Sequence, residues 1–81
     1  MNNQIKFTAE MLFKKYNAIA LTTEQLSEVI PRSTVSLRRD RSAKVGIPYS
    51  RFSAAKSGAT VAMYNIYDIA EFLFKNKTQV A

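Results

Sequence analysis

The stretch LTTEQLSEVIPRST, Leu21 to Thr34, constrains this chain more than any other. Thr22 is followed three residues later by Gln25, the spacing of a capping box. In that arrangement a hydroxyl accepts from one orphan amide at a helix start while an amide side chain reaches back to another. Leu21 and Leu26 occupy the two positions of a hydrophobic staple, so a helix is predicted to begin with Thr22 as its cap. It should end at Ile30, because Pro31 disfavours the α conformation in its predecessor and suits the first turn of a new helix. From Pro31 the pattern stays helical to about Arg41, with Val35 and Leu37 available for burial. Two short helices separated by a residue or two make a helix-turn-helix, and here the second helix is the basic one.

The flanking elements follow from periodicity. In FTAEMLFKKYN, Thr8 can cap a helix whose Met11, Leu12, Phe13 and Tyr16 form an apolar stripe. Beyond the basic helix, Gly46 and Pro48 are breakers. The period then changes to two: Tyr49, Arg51 and Ser53 alternate with Ser50 and Phe52, and Val61, Met63 and Asn65 alternate with Ala62, Tyr64 and Ile66. Between the two runs, AAKSGA carries the glycine a hairpin turn needs, so a β-hairpin with a basic tip is expected. Asn65 and Asp68 mark another helix start, with Ile66, Ile69, Phe72 and Leu73 or Phe74 as its inward face and Lys75 and Lys77 near its negative end. The tail TQVA should fray.

Charge sharpens the picture. Residues 32 to 56 hold Arg32, Arg38, Arg39, Arg41, Lys44, Arg51 and Lys56 against Asp40 alone, a net of +6 that equals the net charge of all 81 residues. Elsewhere five lysines meet five acids. A focus of this kind favours a polyanionic partner, nucleic acid ahead of an anionic membrane, since a membrane-surface helix would need a continuous apolar face beside the basic one.

Composition removes whole classes of chemistry. The chain has no cysteine and no histidine, which excludes disulfides, zinc sites of the usual kind, imidazole bases and Cys–His nucleophilic pairs. Its two glycines, Gly46 and Gly58, form no phosphate-cradling pattern. No enzyme activity and no cofactor are expected. An apolar fraction of 47% suits one small globular domain. No run of about 18 apolar residues occurs, and MNNQIKFTAE lacks the apolar core of a secretion signal, so a cytoplasmic protein with no membrane partner is the expectation.

The ordered set LTTEQLSEVI…STVSLRRDR…GIPYSRF…MYNIYDIAEFL resembles the small winged-helix DNA-binding domains of the excisionase and MerR-like group. The features that carry the resemblance are Leu21–Thr22, Thr34–Val35, Arg38 or Arg39, Gly46–Pro48–Tyr49, the hairpin around Ser57–Gly58, Tyr64, Asp68–Ile69 and Phe72, and they span about residues 21 to 74. The resemblance implies an α+β, mainly α, winged helix-turn-helix at residues 21–76. It would carry a two-stranded wing and a closing helix; residues 1–20 have no counterpart in the minimal domain and read as an extra N-terminal helical extension, and 77–81 as a tail. It also implies a phage or mobile-element setting, as an excisionase-like recombination directionality factor, a transcriptional regulator, or both.

Physical chemistry assigns roles within that frame. A short helix fits the major groove, where arginine bonds bidentately to guanine. Arg32, Ser33, Ser36 and Arg39 are the candidates for reading bases, and Arg38, Arg41 and Lys44 for holding phosphate. As the resemblance implies, Arg51, Lys56 and Ser57 would be the wing contacts. One monomer of this size reads few base pairs, so a homodimer or a cooperative row on double-stranded DNA is expected, with Met11, Phe13 and Tyr16 as its contact and an integrase or polymerase as a further partner. Most of Tyr49, Phe52, Tyr64 and Tyr67 read as core and not as a stacking platform for single strands. Asp68 reads as a helix-start residue, and Glu24 and Glu28 as an ordinary exposed face. The alternative of another class is a protein-binding adaptor or anti-repressor on the same scaffold.

Overall fold

A computed structural model of the chain describes residues 2–53 and 60–76. Four helices and a three-stranded antiparallel sheet make a small, mainly helical α+β fold, in the order α1 (Asn3–Tyr16), β1 (Ala20–Leu21), α2 (Thr23–Val29), α3 (Thr34–Ser42), β2 (Ser50–Ser53), β3 (Thr60–Asn65) and α4 (Ile66–Lys75).

Helix α2 begins as its sequence dictates. The Thr22 hydroxyl accepts from the Gln25 amide at 3.1 Å, and the Gln25 side chain accepts from the Thr22 amide at 3.0 Å. It ends at Ile30, whose extended backbone (φ −118°, ψ 153°) is what a following proline demands. Helix α3 departs from expectation at its start. Pro31 lies in the turn, four residues, 30 to 33, separate the helices, and Ser33 caps α3 by accepting from the Ser36 amide at 3.1 Å. A cap that satisfies an orphan amide outweighs proline's preset φ, which only suits a first turn and supplies no hydrogen bond.

The end of α3 is equally defined. The Val45 amide donates to the Asp40 carbonyl at 2.9 Å and the Lys44 amide to the Arg41 carbonyl at 3.1 Å, with Lys44 left-handed at φ 59°. This paired pattern is a Schellman closure in which a lysine holds the position glycine usually takes. Gly46, at φ +87°, follows it so tightly that a Cβ there would meet the Asp40 Cβ at 3.4 Å.

Helix α1 starts earlier than Thr8. The Asn2 side chain accepts from the Gln4 amide at 2.7 Å and caps a helix of 14 residues. Its inward stripe is Ile5, Ala9, Leu12 and Tyr16, at three- and four-residue spacing, and it packs on α4; Met11 and Phe13 point elsewhere and are exposed. Residues Ala9 and Leu12 share one core with Leu21, Leu26, Ile30, Leu37, Ile47, Tyr64, Ile66, Ile69 and Ala70. In α4, Asn65 is the cap and accepts from the Tyr67 amide at 2.7 Å, and Leu73, not Phe74, turns towards the core.

The hairpin pairs Ser50 with Met63, Arg51 with Ala62, Phe52 with Val61 and Ser53 with Thr60. Strand β3 buries Ala62 and Tyr64, whereas all of β2 is exposed. The third strand, β1, has no counterpart in the sequence reading. It pairs Ala20 with Asn65 and Leu21 with Tyr64, and the Ile66 amide donates to the Ile19 carbonyl at 3.0 Å. That ladder ties α1 and α2 to the central strand, and α1 joins the shared core through Ile5, Ala9, Leu12 and Tyr16. The expected turn AAKSGA and the tail from Lys77 onward lie outside the described residues.

Candidate nucleic-acid interface

Helix α3 has two faces. Leu37 is buried against the core and Arg41 lies one turn on, partly buried. Val35, Arg38, Arg39 and Ser42 are exposed, and their i, i+3, i+4, i+7 spacing puts them in one outward stripe. The arginines of this short segment therefore divide by angle around the helix, and the two groups do different work.

Arg41 turns inward. Its Nη1 donates to the Thr23 hydroxyl at 3.0 Å and to the Tyr64 hydroxyl at 2.8 Å. The guanidinium carbon lies 5.7 Å from the Tyr49 ring centroid and 6.0 Å from that of Tyr64, within cation–π range. Thr23 begins α2 and Tyr64 sits in β3, so this one side chain joins both helices of the turn to the sheet. Its Nε is buried with no hydrogen-bond partner among the described residues. The phosphate role expected of Arg41 does not suit a group held this way; holding the helix pair on the sheet does.

Arg32 is also engaged. It forms an ion pair with Asp40 at 2.8 Å, and Asp40 is in turn backed by Gly46. Ser33 caps α3, and its hydroxyl donates to that of Ser36 at 3.1 Å. Three of the four expected base readers are thus bonded within the protein. Arg38 comes 3.8 Å from Glu24, a loose pair between two exposed side chains that costs little to open. Among the described residues no carboxylate pairs with Arg39, Lys44 or Arg51.

Arg51 lies on β2 with its guanidinium carbon 5.4 Å from the Tyr49 ring centroid, and its Nη1 donates to Thr60 at 3.4 Å. Tyr49 therefore has a guanidinium from α3 and another from the hairpin within reach of one ring. That shared ring is the physical link between helix and hairpin. Lys56 and Ser57, expected at the hairpin tip, lie outside the described residues.

Of the four aromatic residues read as mostly core, Tyr64 is buried and Tyr49 half-buried, while Phe52 and Tyr67 are exposed. Asp68 falls in the first turn of α4. Glu28 has a partner the sequence did not reveal: the Tyr16 hydroxyl donates to it at 2.9 Å. Partial burial, and then this bond to a carboxylate, raise the Tyr16 pKa above its ordinary value. Val35, read as available for burial, is also exposed; it stands two residues before buried Leu37, on the far side of the helix.

Among the described residues no cluster of three or more carboxylates offers a metal site, and no helix is long and apolar enough to cross a membrane. Compared with protein-family models, with curated proteins and with solved structures, the chain finds no match in any of the three. The surface must be interpreted from its own geometry.

Proposed function

We propose that this protein is a sequence-selective double-stranded DNA-binding protein of winged helix-turn-helix type. The observation that carries the reading is the outward stripe of α3, where Arg38 and Arg39 project from a rigid, capped helix with no strong internal partner. A helix of nine residues fits the major groove, and arginine is the side chain best suited to guanine edges and phosphate there. The order α2, turn, α3, two-stranded hairpin, closing helix is the order that the resemblance to excisionase and MerR-like domains implies, and Arg51 occupies the wing. By that resemblance the setting is a phage or mobile element, with the protein acting in excision, transcriptional control or both. Copies bound side by side would bend or coat the DNA and so steer an integrase or exclude polymerase.

The second side of the molecule supports binding as more than one copy. Phe7, Met11 and Phe13 of α1, with Ile19, Tyr67 and Phe74, leave apolar surface in water around the α1–α4 pair. Lys6, Glu10 and Lys14 alternate in sign at four-residue steps along α1. A second copy of this helix running antiparallel and shifted by one turn sets Lys6 against Glu10 twice, which supports the same chain as the partner.

The test is fluorescence anisotropy on duplex DNA across a salt series, for the wild type and for Arg38→Ala/Arg39→Ala. Each phosphate contact contributes about 0.9 to the log–log salt slope. The double variant should fold normally and lose on the order of a hundredfold or more in affinity, at about 1–3 kcal/mol per arginine. Arg41 is left intact because its removal would disturb the fold. Unchanged duplex affinity in the double variant would sink this reading and bring forward an adaptor that docks on an acidic protein. Tighter binding to single strands than to duplex would favour a stacking mode instead.

A further inference from the structure

Val35 is the second residue of α3 and is 59% exposed, at the end of the helix that enters first when a recognition helix docks. Nothing in the fold requires an aliphatic side chain there. Alanine would favour the helix more, since valine loses side-chain freedom against the preceding turn, and Val35 is not among the residues packed on the core. Its polar neighbours are occupied: Ser33 caps the helix and pairs with Ser36, and Arg32 is held on Asp40. The uncommitted groups of this face are therefore one branched apolar side chain and, one turn further on, Arg38 and Arg39.

That combination matches a particular chemistry in the major groove. Guanine presents two acceptors that suit an arginine, and thymine presents the C5-methyl, an apolar group on an otherwise polar floor. We propose that Val35 is a specificity-determining residue that packs its two methyl groups against the C5-methyl of a thymine near the base pair engaged by Arg39 or Arg38. The inference rests on the DNA-binding reading above and deepens it: the cognate site contains a thymine whose methyl group is read. One helical turn is about 5.4 Å, against about 3.4 Å per base step, so the thymine and the arginine's base lie about one or two steps apart.

The experiment separates this inference from the reading it rests on. The full chain selects duplexes from a randomised pool, and the best duplex is then made with each thymine replaced in turn by deoxyuridine, which lacks only the methyl group. At one thymine per bound monomer the replacement should weaken wild-type binding about threefold to tenfold, the scale of one buried methyl group. Val35→Ala should bind the thymine duplex more weakly by a similar factor and be indifferent to the replacement at that position. Its melting temperature should not fall, because alanine is the better helix former at an exposed site. If deoxyuridine is neutral at every position, or if Val35→Ala keeps the full discrimination, the assignment of Val35 is overturned while DNA binding stands. A pool that yields no preferred duplex overturns both.

Discussion

The two sides of this molecule leave different things unfinished. On the α3 and hairpin side, among the described residues Arg39, Lys44 and Arg51 have no carboxylate partner and Arg38 only a loose one in Glu24, within a segment that holds the protein's whole net charge of +6; exposed Val35, Val45 and Phe52 lie among these charges. On the α1–α4 side Lys6, Lys14, Lys15 and Lys75 against Glu10, Asp68 and Glu71 leave a net of only +1, and the unfinished groups are chiefly apolar, from Phe7 at 64% exposed to Ile19 at 69%. An exposed arginine stays soluble and waits for an anion. An exposed phenylalanine loses water-excluding contact that only another surface can supply. The difference teaches that, on the proposed reading, one small core would present two docking chemistries, basic side chains for a polyanion on one side and an apolar helix face on the other, each removable without the other.

The largest effect on stability should come from a residue that crosses this division. Arg41 belongs to the basic segment by sequence but works inside the fold. Arg41→Ala would leave the Tyr64 hydroxyl and the buried Thr23 without their donor and remove the cation that lies near both the Tyr49 and Tyr64 rings. Hydrogen bonds to a charged group contribute about 1.5–3 kcal/mol, which in a domain of this size lowers the melting temperature by roughly 6–24 °C. Arg38→Ala should stay within about 0.5 kcal/mol of the wild type. Thermal unfolding of the two variants side by side checks the division, and equal losses would erase it.

The same contrast explains what was legible in the sequence. Elements closed by local chemistry could be read directly: the Thr22–Gln25 box, the Ile30–Pro31 stop and the Asn65 start of α4 depend on neighbours a few residues apart, and the hairpin announces itself by its alternation. What escaped depends on distant partners. Strand β1 is two residues long and exists because Leu21 meets Tyr64, far along the chain. The start of α1 was missed because Asn2 competes with Thr8 as a cap, and the inward stripe through Ile5 and Ala9 decides in favour of the longer helix. For the candidate site, charge placed the basic face on α3, but it could not tell Arg38 from Arg41. Only the angle around the helix, fixed by Leu37 pointing inward, does that.

On the opposite side, Phe7→Ser/Met11→Ser should act on association and leave charge alone. The two side chains are half or more exposed in the single copy, so the fold should lose little. Self-association, followed by sedimentation equilibrium, should weaken by on the order of ten- to a hundredfold if each side chain is largely covered in the pair, at roughly 1 kcal/mol or more each. The salt slope of DNA binding per monomer should not change, because no phosphate contact is touched. A wild type that stays monomeric at high concentration, with the variant identical to it, would remove the second docking chemistry and leave the comparison with one active side.

The smallest effect tests the seam where α1 meets α2. Tyr16 donates to Glu28, and both partial burial and that bond raise its pKa, so the folded state prefers the neutral phenol. A raised folded value means that the bond's contribution is complete below the unfolded tyrosine pKa, about 10. It is then lost as pH rises through the folded value, because the unfolded chain releases the proton first. Wild type and Tyr16→Phe should therefore differ by a few tenths to about 1 kcal/mol at neutral pH, and the gap should close above pH about 10. Denaturant unfolding of the pair at pH 7, 9 and 11 reads the gap directly, and a gap that widens with pH would show that the hydroxyl serves some bond other than the one to Glu28.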